Sequence, residues 1–230
     1  MATAGRKISR KELRQPDWFQ NTSENVLEYF NEHKSLVLSA AAAVLVIAGI
    51  IWGSQIFKER QNVAAAAEFS KAIELYQSEK YREAIPAFER VTGYRWSRYS
   101  VLAHIYLANS YLATNEPEKA VSEGQRSVAA TKPESLYRQI ALVTLANAEE
   151  QKKDCKTAVQ HYGEAQSISG ALQSHAVLGR ARCAEQLGDT QTAIAAYREY
   201  LKENPGSPLT IKLAELEAKV PATTPAPASK

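Results

Sequence analysis

Residues 181–206 read ARCAEQLGDTQTAIAAYREYLKENPG, and the spacing inside this stretch decides the fold. Ala181 and Ala193 stand twelve positions apart, and Tyr197 follows Ala193 by four. Between the alanines lies Gly188-Asp189, a pair suited to stop one helix and start another. Asn204-Pro205-Gly206 then ends the second helix. Small residues at matched heights let two helices touch, and the aromatic fills the space beside them. The stretch reads as an antiparallel helix pair, helix A followed by helix B.

The same arrangement recurs toward the N-terminus. Ala84, Ala120, Ala158 and Ala193 are separated by 36, 38 and 35 residues. Ala72, Ala108, Ala146 and Ala181 each precede them by twelve, and Phe88, Gly124, Tyr162 and Tyr197 each follow by four. Glu79-Lys80, Asn115-Glu116-Pro117 and Lys153-Asp154 match Gly188-Asp189 as turns from A to B. Thr92-Gly93, Lys132-Pro133 and Ser169-Gly170 separate successive pairs. A period of this length marks a stack of repeats. Glycine is scarce at 10 residues, and strictly alternating β-branched runs are absent. The fold class is therefore all-α: about four helix pairs in a solenoid over residues 58–220. Residues 208–220 supply a C-terminal capping helix through Leu209, Ile211, Leu213, Leu216 and Val220. The Pro/Ala/Thr-rich tail 221–230 is expected to be disordered.

At these residues the chain resembles the tetratricopeptide repeat family, over roughly residues 63–206. Leu187-Gly188-Asp189 with Ala193, Tyr197 and Pro205 carries the best match, and Tyr81-Arg82-Glu83-Ala84-Ile85 with Phe88 the next. There are departures. Gly124 replaces an aromatic, Lys71 and Arg180 stand where the family usually has Leu, and Pro86 is expected to kink its helix. The resemblance implies a concave groove lined by the A helices. Here the lining is Phe69, Ile73 and Tyr76, then Ile105, Asn109 and Leu112. Val143, Asn147 and Glu150 follow, then Leu178, Arg182 and Glu185. In the family's peptide binders an Asn at the position of Asn109 and Asn147 bonds a peptide backbone; a solvated consensus residue is the plainer reading. Ile105 and Val143 occupy the lysine-type position of the family's carboxylate clamp, so recognition of a free C-terminus is not expected.

Ahead of the repeats lies LVLSAAAAVLVIAGIIWGSQIF, residues 36–57, with no charge between Lys34 and Lys58. A bilayer core about 30 Å thick needs roughly 20 helical residues to cross it. The organisation expected is a tail at 1–34, a transmembrane helix at 35–57 and the repeats beyond. A cleavable signal has a short leader and an apolar stretch of about 7–15 residues, and this chain has neither that nor a clear small-x-small site. The basic excess of Arg6, Lys7, Arg10, Lys11, Arg14 and Lys34 favours a cytoplasmic tail. In a bacterium the protein would then be a single-pass inner-membrane protein with a periplasmic C-terminal domain. Asn21 and Glu24 resemble a capping box opening a short pre-membrane helix with Val26, Leu27, Tyr29 and Phe30. Trp18, Phe19, Trp52 and Phe57 suit the headgroup interface. Gly49 and Gly53, with Ala42 one heptad before, form a small-residue stripe. Such a stripe fits a homodimer through the membrane helix, or it is ordinary membrane-helix composition.

The charge of +3 gives no case for nucleic acid. His33, His104, His161 and His175 form no i, i+4 pair, and no HExxH, nucleophile elbow or phosphate loop is present. No catalytic residue, metal site or cofactor is expected. Cys155 begins helix B of the third repeat, and Cys183 lies late in helix A of the fourth. Antiparallel helices bring those ends together, so a periplasmic disulfide or two buried thiols are both open.

The whole plan, with VLEYFNEHK at residues 26–34 running into the span, resembles the YfgM-like ancillary subunits of the bacterial Sec translocon. That resemblance implies a non-catalytic protein contacting the SecYEG translocon, periplasmic chaperones and exported chains. Two other functions use the same parts. One is an envelope scaffold for cytochrome c maturation or cell division, and the other is a cytosol-facing import receptor.

Overall fold

A computed structural model describes residues 32–220. The expected pre-membrane helix and basic tail, and the segment 221–230, lie outside the described residues. The chain divides into two compact units, Met1–Phe57 and Lys58–Lys230.

The first unit contributes the opening of helix α1, Lys34–Gln77. Its apolar part is long and apolar enough to cross a membrane, a length and composition shared by anchors and signal sequences. Leu45 and Trp52 are each 73% exposed, and apolar side chains face outward on every side. The hydroxyls in the run are satisfied within the helix. Ser39 Oγ donates to the Leu36 carbonyl at 2.9 Å, and Ser54 Oγ to that of Ile51 at 2.7 Å. Self-satisfied polar groups are what a hydrocarbon environment demands. The helix does not stop at Phe57, where the apolar run ends, but continues to Gln77. No Gly or Pro intervenes, and KERQNVAAAAEFSKAIELYQ is built from strong helix formers.

In the second unit the residues of α1 after Phe57 pair with α2, Tyr81–Thr92. Then come α3 (Arg98–Ala113) with α4 (Pro117–Ala129), and α5 (Leu136–Gln151) with α6 (Cys155–Ser167). Helices α7 (Gln173–Gln186) and α8 (Thr190–Glu203) make the fourth pair, and α9 (Leu209–Lys219) follows. Among the described residues there is no strand. All eight repeat alanines, from Ala72 to Ala193, are 0% exposed. Leu216 of α9 is buried against the cluster of Val177, Ala181 and Tyr197, as a cap requires, while Ile211 points away and is exposed.

Residues four after the second alanine bury between pairs, and their sizes are matched to what faces them. Phe88 stacks on Tyr106 with ring centroids 5.3 Å apart. Tyr162 lies over Gly179, where an added Cβ would fall 2.4 Å from its ring. Gly124, the departure from the aromatic pattern, closes tightly on Leu145: a Cβ there would sit 3.0 Å from the Leu145 Cα. Helix α2 runs on through Pro86. Pro86 forfeits only its own bond to the Arg82 carbonyl, close to the helix start. Gln139, buried completely, holds the loop after α6 by donating to the Ala165 and Ile168 carbonyls and accepting from the Leu172 amide.

The turns from A to B are one structure used four times. Glu79, Asn115, Lys153 and Gly188 all have positive φ, between 59° and 75°. In each, the next amide reaches back five residues: Lys80 to the Leu75 carbonyl, Glu116 to Tyr111, Asp154 to Glu149 and Asp189 to Ala184. This is the Schellman closure, which favours glycine at the left-handed residue. A side chain there costs about 1–2 kcal/mol. Gly188→Ala should therefore lower the unfolding free energy by about 1–2 kcal/mol, whereas Lys153→Gly should raise it by about 0.5 kcal/mol. Urea unfolding of the detergent-solubilised chain, followed by circular dichroism, measures both; shifts of the same sign would contradict the shared turn.

Candidate protein-binding groove

Helix periodicity puts positions three, four and seven apart on one face, so each A helix presents one short row per repeat. Contacts between rows show that neighbouring repeats align them. The Arg182 guanidinium donates to Glu150 through Nε at 2.9 Å and Nη2 at 2.8 Å. His175 Nε2 lies 3.4 Å from Asn147 Oδ1. Two B-helix tyrosines reach through to the same face. The Tyr162 hydroxyl lies 2.6 Å from Asn147 Oδ1 and 2.7 Å from Glu150 Oε2, with one proton to share between them, and Tyr197 donates to Glu185 at 3.2 Å. Lys212 of α9 pairs with Glu185 at the far end.

The electrostatics follow from half-burial. Burial pulls the Glu150 carboxyl up, but Arg182 and Tyr162 outweigh it and hold the group below the ordinary carboxylate value. Burial and then Glu150 push the Tyr162 hydroxyl up; burial and then Glu185 push that of Tyr197 to about 12. Burial, then the Arg182 charge, draws His175 below the ordinary histidine value. The third and fourth repeats thus carry a fixed charged row with neutral donors beside it.

The first two repeats are different in kind. Phe69 sits 5.4–5.7 Å, ring to ring, from Phe88, Tyr99 and Tyr106, and Tyr76 sits 5.1 Å from Tyr106. Ile73 and Leu112 are partly buried against the same cluster, and Asn109 is half-buried beside them. Of the twelve expected lining residues, Ile105 and Val143 are buried, each 4% exposed, and offer floor rather than surface. Leu178, Arg182 and Glu185 are half-buried. Tyr106, Tyr162 and His175 join the rows without having been expected there. The repeated aromatic after Ala158 did mark Tyr162, but only as filler. Cys155 Sγ lies 2.7 Å from Cys183 Sγ, both buried free thiols, and burial followed by the Cys155 contact pushes the Cys183 thiol up. Among the described residues no three His, Cys, Asp or Glu side chains are grouped to hold a metal ion.

A sequence-family model described as a tetratricopeptide repeat-like domain matches residues 28–218. The chain belongs to this family. Solved tetratricopeptide-type structures agree in fold. The crystal structure of MamA superposes with a TM-score of 0.56 at 16% identity, covering 66% of this chain and 78% of MamA. Pseudomonas aeruginosa PilF superposes with a TM-score of 0.53 at 17% identity, covering 68% and 67%. Likeness at such identity shows the fold alone. No curated protein matches the chain in sequence. Tetratricopeptide repeat-like domains are typically protein-interaction scaffolds, and this domain is a protein-interaction module.

Because the folded Glu150 carboxyl is held below its ordinary value of 4.5, its contribution to stability is present above that pH. It is lost as pH falls through the folded value. Arg182→Gln should remove this acid-side dependence and cost about 1–3 kcal/mol at neutral pH, since Glu150 stays half-buried without its cation. Urea midpoints for both proteins at pH 7 and below pH 4.5 check it; parallel pH curves would refute the assignment.

Proposed function

We propose that this chain is a membrane-anchored, non-catalytic interaction module, an ancillary translocon subunit that links SecYEG to periplasmic chaperones and exported proteins. The interaction-module part is supported by one family match that spans both the apolar run and the repeats, residues 28–218, and the translocon part by the resemblance of VLEYFNEHK at residues 26–34, running into the apolar run. Residues 35–57 anchor the chain in the inner membrane, 1–34 stay cytoplasmic and 58–220 work in the periplasm. Basic residues concentrated before the run support this orientation. Open space around Gly49 and Gly53, aligned with Ala42, supports pairing of two copies within the membrane.

The groove rows supply the binding surface. Phe69, Ile73, Tyr76 and Leu112 take apolar side chains of an extended partner. Asn109, Asn147, Glu150, Leu178, Arg182 and Glu185 take its backbone and polar groups. A photoreactive residue at Leu178 or Asn109 should label exported chains or chaperones, and one at Gly53 should label a translocon subunit. The same probe at exposed Gln125, on α4, serves as the control. Equal labelling from Gln125 and Leu178, or a span probe that never reaches the translocon, defeats this function.

The contact between the two thiols supports a disulfide in that compartment. Exchange with a periplasmic disulfide donor would join Cys155 to Cys183, each thiol losing its hydrogen as the donor becomes a dithiol. Thiol counting on unfolded chain prepared without reductant should find none in protein from the periplasm and two after reduction. Two thiols before reduction would exclude the bond.

A further inference from the structure

The loop joining α2 to α3 is tied to the first turn after the apolar run. Lys58, the residue that ends the run, places its ammonium 5.8 Å from the centre of the Trp96 ring. Asn62 Oδ1 accepts from the Arg98 amide at 3.1 Å. Trp96 is nonetheless 62% exposed, and Arg95 and Arg98 beside it in the chain are exposed too. A half-covered indole among cations is an unusual surface for water alone.

The surface continues across the next repeat junction. Arg98, Leu102, Lys132 and Tyr137 border an open, mainly apolar cleft of about 460 Å³. Leu136 and Tyr137 are 52% and 54% exposed. The exposed large apolar side chains of the second unit are few. Val63, Trp96, Leu136 and Tyr137 fall at the end where the A helices begin, Ile211 near the start of α9, and Leu187 at the opposite end. Charge follows the same division. Lys58, Arg60, Arg95, Arg98, Lys132 and Lys202 outnumber Glu59, Glu134 and Glu203 there. At the opposite end Glu79, Glu83, Glu116, Glu118, Asp154 and Asp189 offset Lys80, Arg82, Lys119, Lys152, Lys153 and Lys156. Tryptophan and tyrosine prefer the level of lipid headgroups, and nearby lysines and arginines are drawn to anionic lipid.

We propose that this aromatic and basic end is a second membrane contact, in which Trp96 and its neighbouring cations seat in the anionic headgroup layer of the bilayer that the apolar run enters. The proposal rests on the anchored reading above. Its occupant is assigned from charge complementarity and from covalent continuity, because Lys58 leaves the hydrocarbon one residue after Phe57 and holds Trp96 beside it.

Single-tryptophan forms of the full chain separate the two ideas. Trp18→Phe with Trp52→Phe leaves Trp96 as reporter, and Trp18→Phe with Trp96→Phe leaves Trp52. Each is reconstituted into vesicles of phosphatidylcholine and phosphatidylglycerol, with and without bromines high on the acyl chains, and checked for helicity. The expected result is loss of emission for both reporters in brominated vesicles, with blue-shifted Trp96 emission relative to urea. Arg95→Glu with Arg98→Glu should reverse the Trp96 quenching and leave that of Trp52 intact. Quenched Trp52 with unquenched Trp96 would overturn the second contact while the anchor stands. Failure to quench either would overturn the anchor and this contact with it.

Discussion

Contact between small side chains on facing helices is the constraint under everything else in this domain. Each A helix meets its B helix at a pair of alanines with no exposed surface. A larger side chain at either position would push the backbones apart, because protein interiors have no spare volume to absorb it. Repeating that contact at nearly constant chain spacing forces each pair to stack on the last. The solenoid, its rows of side chains and its two ends are consequences of it.

Between pairs the filling varies, and the variation divides the groove. Where Phe88 stacks on Tyr106, the neighbouring rows become an aromatic ledge with Phe69 and Tyr76. Where Tyr162 lies over Gly179, the phenol passes through to the groove face, and its hydroxyl meets Asn147 and Glu150. A buried phenol needs a polar partner, so the choice of Tyr over Phe at this filler position places polar groups on the binding face. Gly124 ends the matter differently, by letting α4 close on Leu145. One repeat position thus sets both the packing between pairs and the chemistry offered to a partner.

Much of the fold was legible because its signals are local. Alanine spacing located all four pairs, and turn residues located their boundaries. Of the five apolar residues read as the cap, Leu216 is buried and Ile211 is exposed. The apolar run and the first A helix form one continuous helix, since nothing between Phe57 and Gln77 breaks it. One reading failed for a physical reason. Ile105 and Val143 were read as lining, since helical phase fixes the direction of a side chain without fixing how closely the next helix approaches it.

The amino-acid pattern alone therefore established an all-helical repeat, the number of pairs, the family resemblance and a run apolar enough for a bilayer. Those properties depend on spacing along one chain. Tertiary structure decided which cations meet which carboxylates, that Cys155 and Cys183 touch, and that Trp96 stands beside Lys58. Such contacts join residues on different helices, and their distances are set by how closely the helices pack.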